Sequence, residues 1–490
     1  MTDFEKITNR KVDLADARFH NQDMPEPEQR IAVIDVVGLN KNALRFMPRL
    51  SAWAQKRKIT SFPPTFPALT CSAQATYLTG MTPREHGIVG NGWFHKSFNE
   101  VQFWKQSEQL IHGELLWDTL KQRFGESFTC AKIFWWFNMY SSADWTITPR
   151  PMYPADGRKV FDIYTHPMKM REEIKQDLGE FPFPFFWGPM AGKKSSLWIA
   201  ESAKWIEHRH KPHLSLVYIP HLDYDPQRFG PENALSIPAF EQADAIVSDL
   251  IAFYESKKVD VIILSEYGIS EVAASIPINR IFREKGWLTI KPELGTDILD
   301  CGASRAFALA DHQIAHIYIN DPSLSEEIIS TLSEIEGIEE IRPCHPETAP
   351  HPGKERMANF IAVAKPNAWF NYYYWIDDKR APDFARCVDI HRKPGYDPAE
   401  LFVAPKIRFP KLKAALFLLK KKLGFRALLR LTPLDGDQVR GSHGRDIIPE
   451  EEQPVFIASG KLPPIKQATD VHTALLAAFT KSPMDKVTAR

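Results

Sequence analysis

An excess of charge is the first thing this sequence lacks. Its 490 residues carry 61 Lys and Arg against 61 Asp and Glu, so no bulk field points to nucleic acid as a partner. Cysteine is scarce: the five are scattered, odd in number and form no C-x-x-C pair. That argues against a thiolate zinc site and against a disulfide framework. No apolar run is long enough to span a bilayer. The opening stretch, MTDFEKITNRKVDLADARF, is charged and has no apolar h-region. These absences together set the expectation of a cytoplasmic protein with no transmembrane segment. The apolar share, 44%, is that of a folded chain. The length allows one large domain or two to three ordinary ones.

What is present is an alternation of buried strands and amphipathic helices. IAVIDVV (31–37) is a short apolar run and reads as a buried parallel strand. HLSLVYIP and VDVIILSEYGIS read the same way. Between them Phe240, Ala243, Val247, Leu250 and Tyr254 step by three and four, which predicts a helix, with Pro238 near its start. GELLWDTLKQRFG and SSLWIAESAKWIEHRH are further helices, FTCAKIFWW and PVFIAS further strands. The pattern predicts a three-layer α/β/α sandwich on a largely parallel sheet. Chemistry then gathers at the carboxyl ends of strands, where Asp35, Asp223 and Glu266 all fall.

Residues 1–29 read as a polar tail and 30–274 as the first part of the core. Within it, 135–195 is rich in aromatics and proline and follows neither a sheet nor a helix pattern. It reads as a lid, lining a substrate pocket or simply irregular. Residues 275–380 read as an inserted cap and 381–490 as the return to the core. Residues 405–430 are basic and amphipathic, with Leu412, Leu416, Leu419 and Leu423 on one face. Such a segment can lie on an anionic membrane as a peripheral contact. The expectation here is instead that it docks its leucines on its own core and leaves its lysines in water.

The densest cluster of chemistry runs from Pro63 to Trp93. PPTFPAL is an extended entry, because residues before proline avoid the helical region. Thr70-Cys71-Ser72 opens a short helix that ends at Gly80. A hydroxyl at a helix N-terminus is where a nucleophile could meet a phosphate, although Thr is equally a common N-cap. Asp35, inside an apolar strand, needs a partner. It is a metal-ligand candidate, the alternative being an Asp that caps the following turn.

Thr70, Thr79-Gly80, Pro83, His86-Gly87-Ile88 and Asn91 stand in the order and spacing of the nucleophile region of the alkaline phosphatase superfamily, in its type I phosphodiesterase/nucleotide pyrophosphatase branch. The chain resembles that family over most of its length. The resemblance implies an alkaline phosphatase-like fold and two divalent metal ions. One would be held by Asp35, Thr70, Glu266 and Tyr267, the other by Asp223, Gln227 and His443. It implies Thr70 as nucleophile and Asn91 as the group that grips the phosphoryl oxygen. Asp223 and Gln227 fall in D-x-x-x-Q-x-x-G-P where the family has His in place of Gln. LSEYG stands where the family has S-D-H-G, whereas His443, in G-S-H-G, matches the last ligand without change, and Asp35, Thr70, Asn91 and Asp223 also remain. Zinc follows from the resemblance, whereas the oxygen-rich replacements suit manganese or magnesium.

His221 and Asp225 flank Asp223 at strand spacing, so one of them could stand in for the missing imidazole, and both are candidates for substrate-binding or neighbouring polar groups. His391 and Asp397 are further substrate-binding candidates. His312 and His316 read as structural histidines. The resulting expectation is a metal-dependent phosphodiesterase or pyrophosphatase working through a phospho-threonine on a small phosphorylated or nucleotide-like substrate. A phosphonate-cleaving or phosphomonoester hydrolase, and a catalytically weak phospholigand-binding member, remain open alternatives. Neither substrate nor oligomeric state is read from the sequence.

Overall fold

In the computed structural model, which describes residues 29–344, 352–460 and 462–479, everything is arranged about strand β1 (Ile31–Val36). All six of its residues are buried. Successive side chains of a strand point to opposite faces, and both faces are packed. Ile31 and Val33 belong to one apolar core, Ala32, Ile34 and Val36 to another. The other strands of its sheet are β2 (Lys58–Ser61), β3 (Cys130–Ile133), β4 (Trp145–Pro149), β5 (Ile163–His166), β6 (Leu214–Ile219), β7 (Asp260–Leu264) and β12 (Val455–Ala458), in the order β2-β12-β7-β1-β6-β3-β4-β5. Four of the seven neighbouring pairs are parallel, and the antiparallel pairs lie toward the two edges.

The two cores place the helices. α1 (Thr70–Thr79), α2 (Leu116–Phe124) and α8 (Asp470–Ala478) cover the face of Ile31 and Val33. α3 (Lys193–His210) and α4 (Ile237–Ser256) cover the other. In α4, Phe240, Val247 and Leu250 are at most 3% exposed, and burying each contributes about 1.5–3 kcal/mol. The three-layer sandwich follows. By the same alternation Asp35 faces the α1 side, so the strand aims its one acid at the helix that carries Thr70.

A second sheet sits between the halves of the core. Strands β8 (Ala306–Asp311), β9 (Ile314–Ile319), β10 (Ile338–Pro343) and β11 (Phe360–Ala364) run antiparallel in the order β8-β9-β11-β10. They pack with α5 (Ile278–Glu284) and α6 (Ser325–Ser333) around an apolar core of their own. Residues 274–276 pair with 368–370 at the neck of this insertion. The turn between β8 and β9, His312-Gln313, reaches into the core part: Gln313 N donates to His443 O.

Two expectations are corrected. Residues 135–195 hold β4, β5 and a helix (Met170–Leu178), so much of the stretch is framework, and its Trp135 and Phe181 are core residues. Short strands at a sheet edge, framed by prolines, leave too few residues to show a period. The segment 405–430 forms α7 (Pro410–Lys422), but it buries nothing. Leu412, Leu416, Leu419 and Leu423 are 56%, 51%, 52% and 64% exposed. The helix turns Lys413, Ala414 and Phe417 inward instead, where they are half-buried. The polar tail, residues 1–28, lies outside the described residues.

Candidate active site

The entry segment extends to Leu69, the N-cap of α1, at φ −130° and ψ 151°. Thr70 is the first residue inside the helix and does not cap it. The capping alternative is therefore not realised, and the hydroxyl is free for other partners. Gly80 ends the helix at φ +69°, a conformation that favours glycine. Ser72 Oγ donates back to Pro67 O and Leu69 O, and His443 Nδ1 donates to Ala68 O at 2.8 Å. The bend before Thr70 is thus pinned from both sides. Cys71 N donates to Asn91 Oδ1 at 3.1 Å, so Asn91 sits against the helix N-terminus.

Asp35 and Glu266 meet beneath Thr70. Burial holds the Asp35 carboxyl well above the usual carboxylate range, and neighbouring Glu266 adds to it. Burial likewise pushes Glu266 up to about 7. Gln74, one turn beyond Thr70, donates Nε2 to Glu266 Oε1 (2.6 Å) and Asp35 Oδ2 (3.3 Å) and accepts from Trp136 N (2.7 Å). The Thr70 hydroxyl beside Glu266 favours the ionised carboxylate, against the effect of burial. Asp35 Oδ1 and Glu266 Oε2 are buried without a hydrogen-bond partner, and no basic side chain is among the groups that set either pKa.

Tyr267 joins this half of the site to the other. Its hydroxyl lies 2.9 Å from Thr70 Oγ1, and it also favours the ionised form of Asp223, whose carboxyl burial pushes well above the usual range. Burial pushes the phenol up, so it stays protonated. Gln227 Nε2 donates to Asp223 Oδ1 at 2.8 Å, while Gln227 Oε1 accepts from Tyr396 at 2.9 Å. Burial keeps His443 neutral. Since its Nδ1–H serves Ala68, the bare Nε2 faces Asp223 Oδ1 at 4.0 Å.

The insertion contributes two more residues, of which the sequence reading passed over Asp311. Asp311 accepts from Asn91 N (3.1 Å) and Asn91 Nδ2 (3.2 Å), and from His312 Nδ1 at 2.7 Å. His312, read as structural, is held at φ +63°, an uncommon conformation for a side chain of its size. Its ring lies 3.8 Å from that of His443 and 3.6 Å from that of Tyr396, and Tyr267 stacks on the far face of His443 at 3.5 Å. Four rings form one column. The signal available in sequence was D-H-Q between two apolar strands, the pattern of a two-residue hairpin turn.

The other candidates lie apart. Residues 221–223 form a 3-10 turn and Asp225–Phe229 a helix, so the strand spacing assumed for His221 and Asp225 does not exist. His221 turns to Gln242 and Tyr224, and Asp225 pairs with Arg228 at 2.6 Å. Asp397 is buried with Lys393 and Glu400 in an ion-pair cluster. His391 is exposed on a turn.

Among the described residues no three His, Cys, Asp or Glu side chains converge as metal ligands. A smaller donor set does converge. Two buried carboxylates, each with an unpartnered oxygen, and the Thr70 hydroxyl suit one divalent ion bound through oxygen, because the acids otherwise balance their charge only by protonation. The Asp223 side offers two donors, with the Gln227 amide engaged elsewhere.

A hydroxyl at a helix N-terminus, backed by acids at the ends of parallel strands in an α/β/α sandwich, defines an alkaline phosphatase-like protein. The model of the type I phosphodiesterase / nucleotide pyrophosphatase family matches residues 31–397, and the chain belongs to that family. It is 23% identical over 256 residues to an uncharacterised pyrophosphatase/phosphodiesterase of Schizosaccharomyces pombe; the match covers 50% of this chain and 45% of that protein, so it spans under half the length of that curated relative. Among solved structures, murine ectonucleotide pyrophosphatase / phosphodiesterase 5 superposes with a TM-score of 0.54 at 14% identity, over 93% of this chain and 96% of that one. An inactive threonine-to-alanine form of the murine protein, in complex with AMP, matches equally. Phosphonoacetate hydrolase from Sinorhizobium meliloti gives a TM-score of 0.57 at 12% identity, over 93% and 97%. At these identities the structural likeness speaks for the fold.

Proposed function

We propose that the chain is a phosphoric-ester hydrolase that cleaves a diester or nucleotide-like pyrophosphate through a phospho-threonine at Thr70. One observation carries this: Thr70 opens α1 uncapped, with Asn91 beside it on Cys71 N and a carboxylate pair beneath. The helix N-terminus draws the anionic phosphoryl group to Thr70. The second Nδ2 proton of Asn91 is aimed at a phosphoryl oxygen while the first stays on Asp311. Tyr267 holds the Thr70 hydroxyl by a hydrogen bond, and Glu266 beside it accepts the proton as Oγ1 attacks. Oγ1 attacks phosphorus; the Oγ1–P bond forms, the bond to the leaving oxygen breaks, and that oxygen departs with the electron pair. Water then attacks phosphorus, the Oγ1–P bond breaks, and Thr70 regains a proton. A divalent ion held by Asp35, Glu266 and Thr70 would lower the pKa of the hydroxyl and offset the developing negative charge. The AMP complex of the murine relative supports a nucleotide-like ligand for this chain too.

A second reading, a weakly active phospholigand-binding protein, is favoured by the orientation of Gln227, whose amide N–H rather than its oxygen meets Asp223. The test is hydrolysis of bis-p-nitrophenyl phosphate and p-nitrophenyl phosphate by metal-stripped protein, with zinc, manganese or magnesium restored. Turnover that falls at least about a thousandfold in Thr70→Ala supports the proposal. Full turnover in that variant refutes the nucleophile, and no turnover with any ion leaves the binding reading.

A further inference from the structure

We propose that α7 and its flanks dock this protein onto an anionic lipid bilayer. The surface is an inverted amphipathic helix. At about 100° per residue, Leu412, Leu416, Leu419 and Leu423 fall on one stripe, and the structure turns that stripe to solvent. Phe409 and Phe425, at its two ends, are 70% and 64% exposed. Soluble surfaces scatter such residues singly; a contiguous stripe of them marks an interaction site.

Charge selects the occupant. Nine of the 25 residues from Lys406 to Arg430 are Lys or Arg, and none is Asp or Glu. Lys420 and Lys422 flank the leucine stripe on its two sides, where their ammonium groups meet headgroups as the leucines enter the acyl boundary. The 13 residues of α7 measure about 20 Å, short of the ~30 Å hydrocarbon core, so the helix lies in the interface plane rather than crossing it. A second copy of the chain would bring the same nine cations against this face, and like charges across an interface repel. Anionic lipid supplies both the apolar layer and the counter-charge.

The surface is independent of the chemistry proposed above, and so is its test. Full-length protein is sedimented with vesicles of phosphatidylcholine alone or with about 30% phosphatidylserine, at about 0.05 M and 0.5 M salt. The expected result is binding to the anionic vesicles at low salt, weakened by salt and at least about tenfold poorer on neutral vesicles. The double variant Leu416→Asp/Leu419→Asp should lose that binding about tenfold. Because both side chains are exposed, it should keep the wild-type melting temperature and its hydrolysis of soluble esters. No sedimentation with anionic vesicles at low salt overturns the proposal, as does a double variant that binds like wild type. A wild-type dimer in light scattering that the double variant converts to monomer overturns it too, because a second copy then covers the face.

Discussion

Folding should weaken in mild acid in a way that one buried imidazole makes measurable. His86 is 0% exposed. Its Nδ1 accepts from Ile88 N at 3.1 Å and its Nε2 meets Thr76 Oγ1 at 3.1 Å. The ring is therefore the neutral tautomer with the proton on Nε2. Burial drives its pKa from 6.5 to about 3, and the Arg356 guanidinium pushes the same way. A group whose folded pKa is depressed stabilises the protein above its unfolded pKa. That contribution is lost as pH falls from 6.5 toward 3, because the unfolded chain takes up the proton and the folded chain does not. Between pH 7.5 and 5.0 the loss from this one group is about 2 kcal/mol, of a full shift of about 5. The perturbation is His86→Gln, whose amide can meet both neighbours but does not titrate. Urea unfolding at the two pH values reads the difference. The wild type should lose about 2 kcal/mol more than the variant on acidification. Equal losses in the two proteins would refute the assignment of a neutral, acid-resistant ring. The consequence reaches the site, because His86 fixes the turn that carries the chain from α1 to Asn91.

Further expectations concern the site and its support. Asp311→Ala should lower kcat about 10- to 100-fold with little change in KM, because it frees Asn91 without touching substrate; Asp311→Asn should recover part of it, and an unchanged kcat would remove Asp311 as a positioning residue. Gln74→Glu would place a third carboxylate beside Asp35 and Glu266. Thermal melts should then show lower stability in chelator and, at one manganese concentration, a larger gain than the wild type's, a site at a hundred times its Kd gaining on the order of 2.7 kcal/mol; equal manganese shifts would argue against an ion there. Lys132 is fully buried, donating to Glu108 at 3.0 Å and to Phe137 O at 2.8 Å. Lys132→Met should cost about 3–5 kcal/mol in urea unfolding, and adding Glu108→Gln should return much of it; a cost that the second substitution leaves unchanged would point to packing rather than charge.

The layers of the fold were legible because they rest on burial patterns that sequence carries directly. The apolar run Ile31–Val37 read as a buried strand and is one over Ile31–Val36, and the three-four stepping of α4 read as a helix with one buried side. The acids at strand ends were legible for the same reason, since Asp35 interrupts an apolar run. Residues whose roles depend on a distant partner were not. His221 and Asp225 were assigned from a spacing that holds only on a strand, and the chain coils there. His312 was read as structural because its helical spacing to His316 runs straight into a strand, yet a hairpin tip some 130 residues away from His443 in sequence brings the two rings together.

Helix α7 shows a different limit. Its sequence fixes an apolar and a basic side but not which of them the body of the protein accepts. That choice belongs to the surface beneath it, where Phe417 and Ala414 fit and the leucine stripe is left outside. The zero net charge of the whole chain conceals the same asymmetry. With 61 charges of each sign overall, setting aside the nine cations of residues 406–430 leaves the remaining chain with 52 Lys and Arg against 61 Asp and Glu, nine charges negative. The net negative charge of the rest of the chain opposes approach to an anionic bilayer, and the cationic, leucine-faced helix favours it. Docking through α7 would then fix the orientation as well as the location of the protein, and reversing the charge of Lys420 and Lys422 should abolish both together.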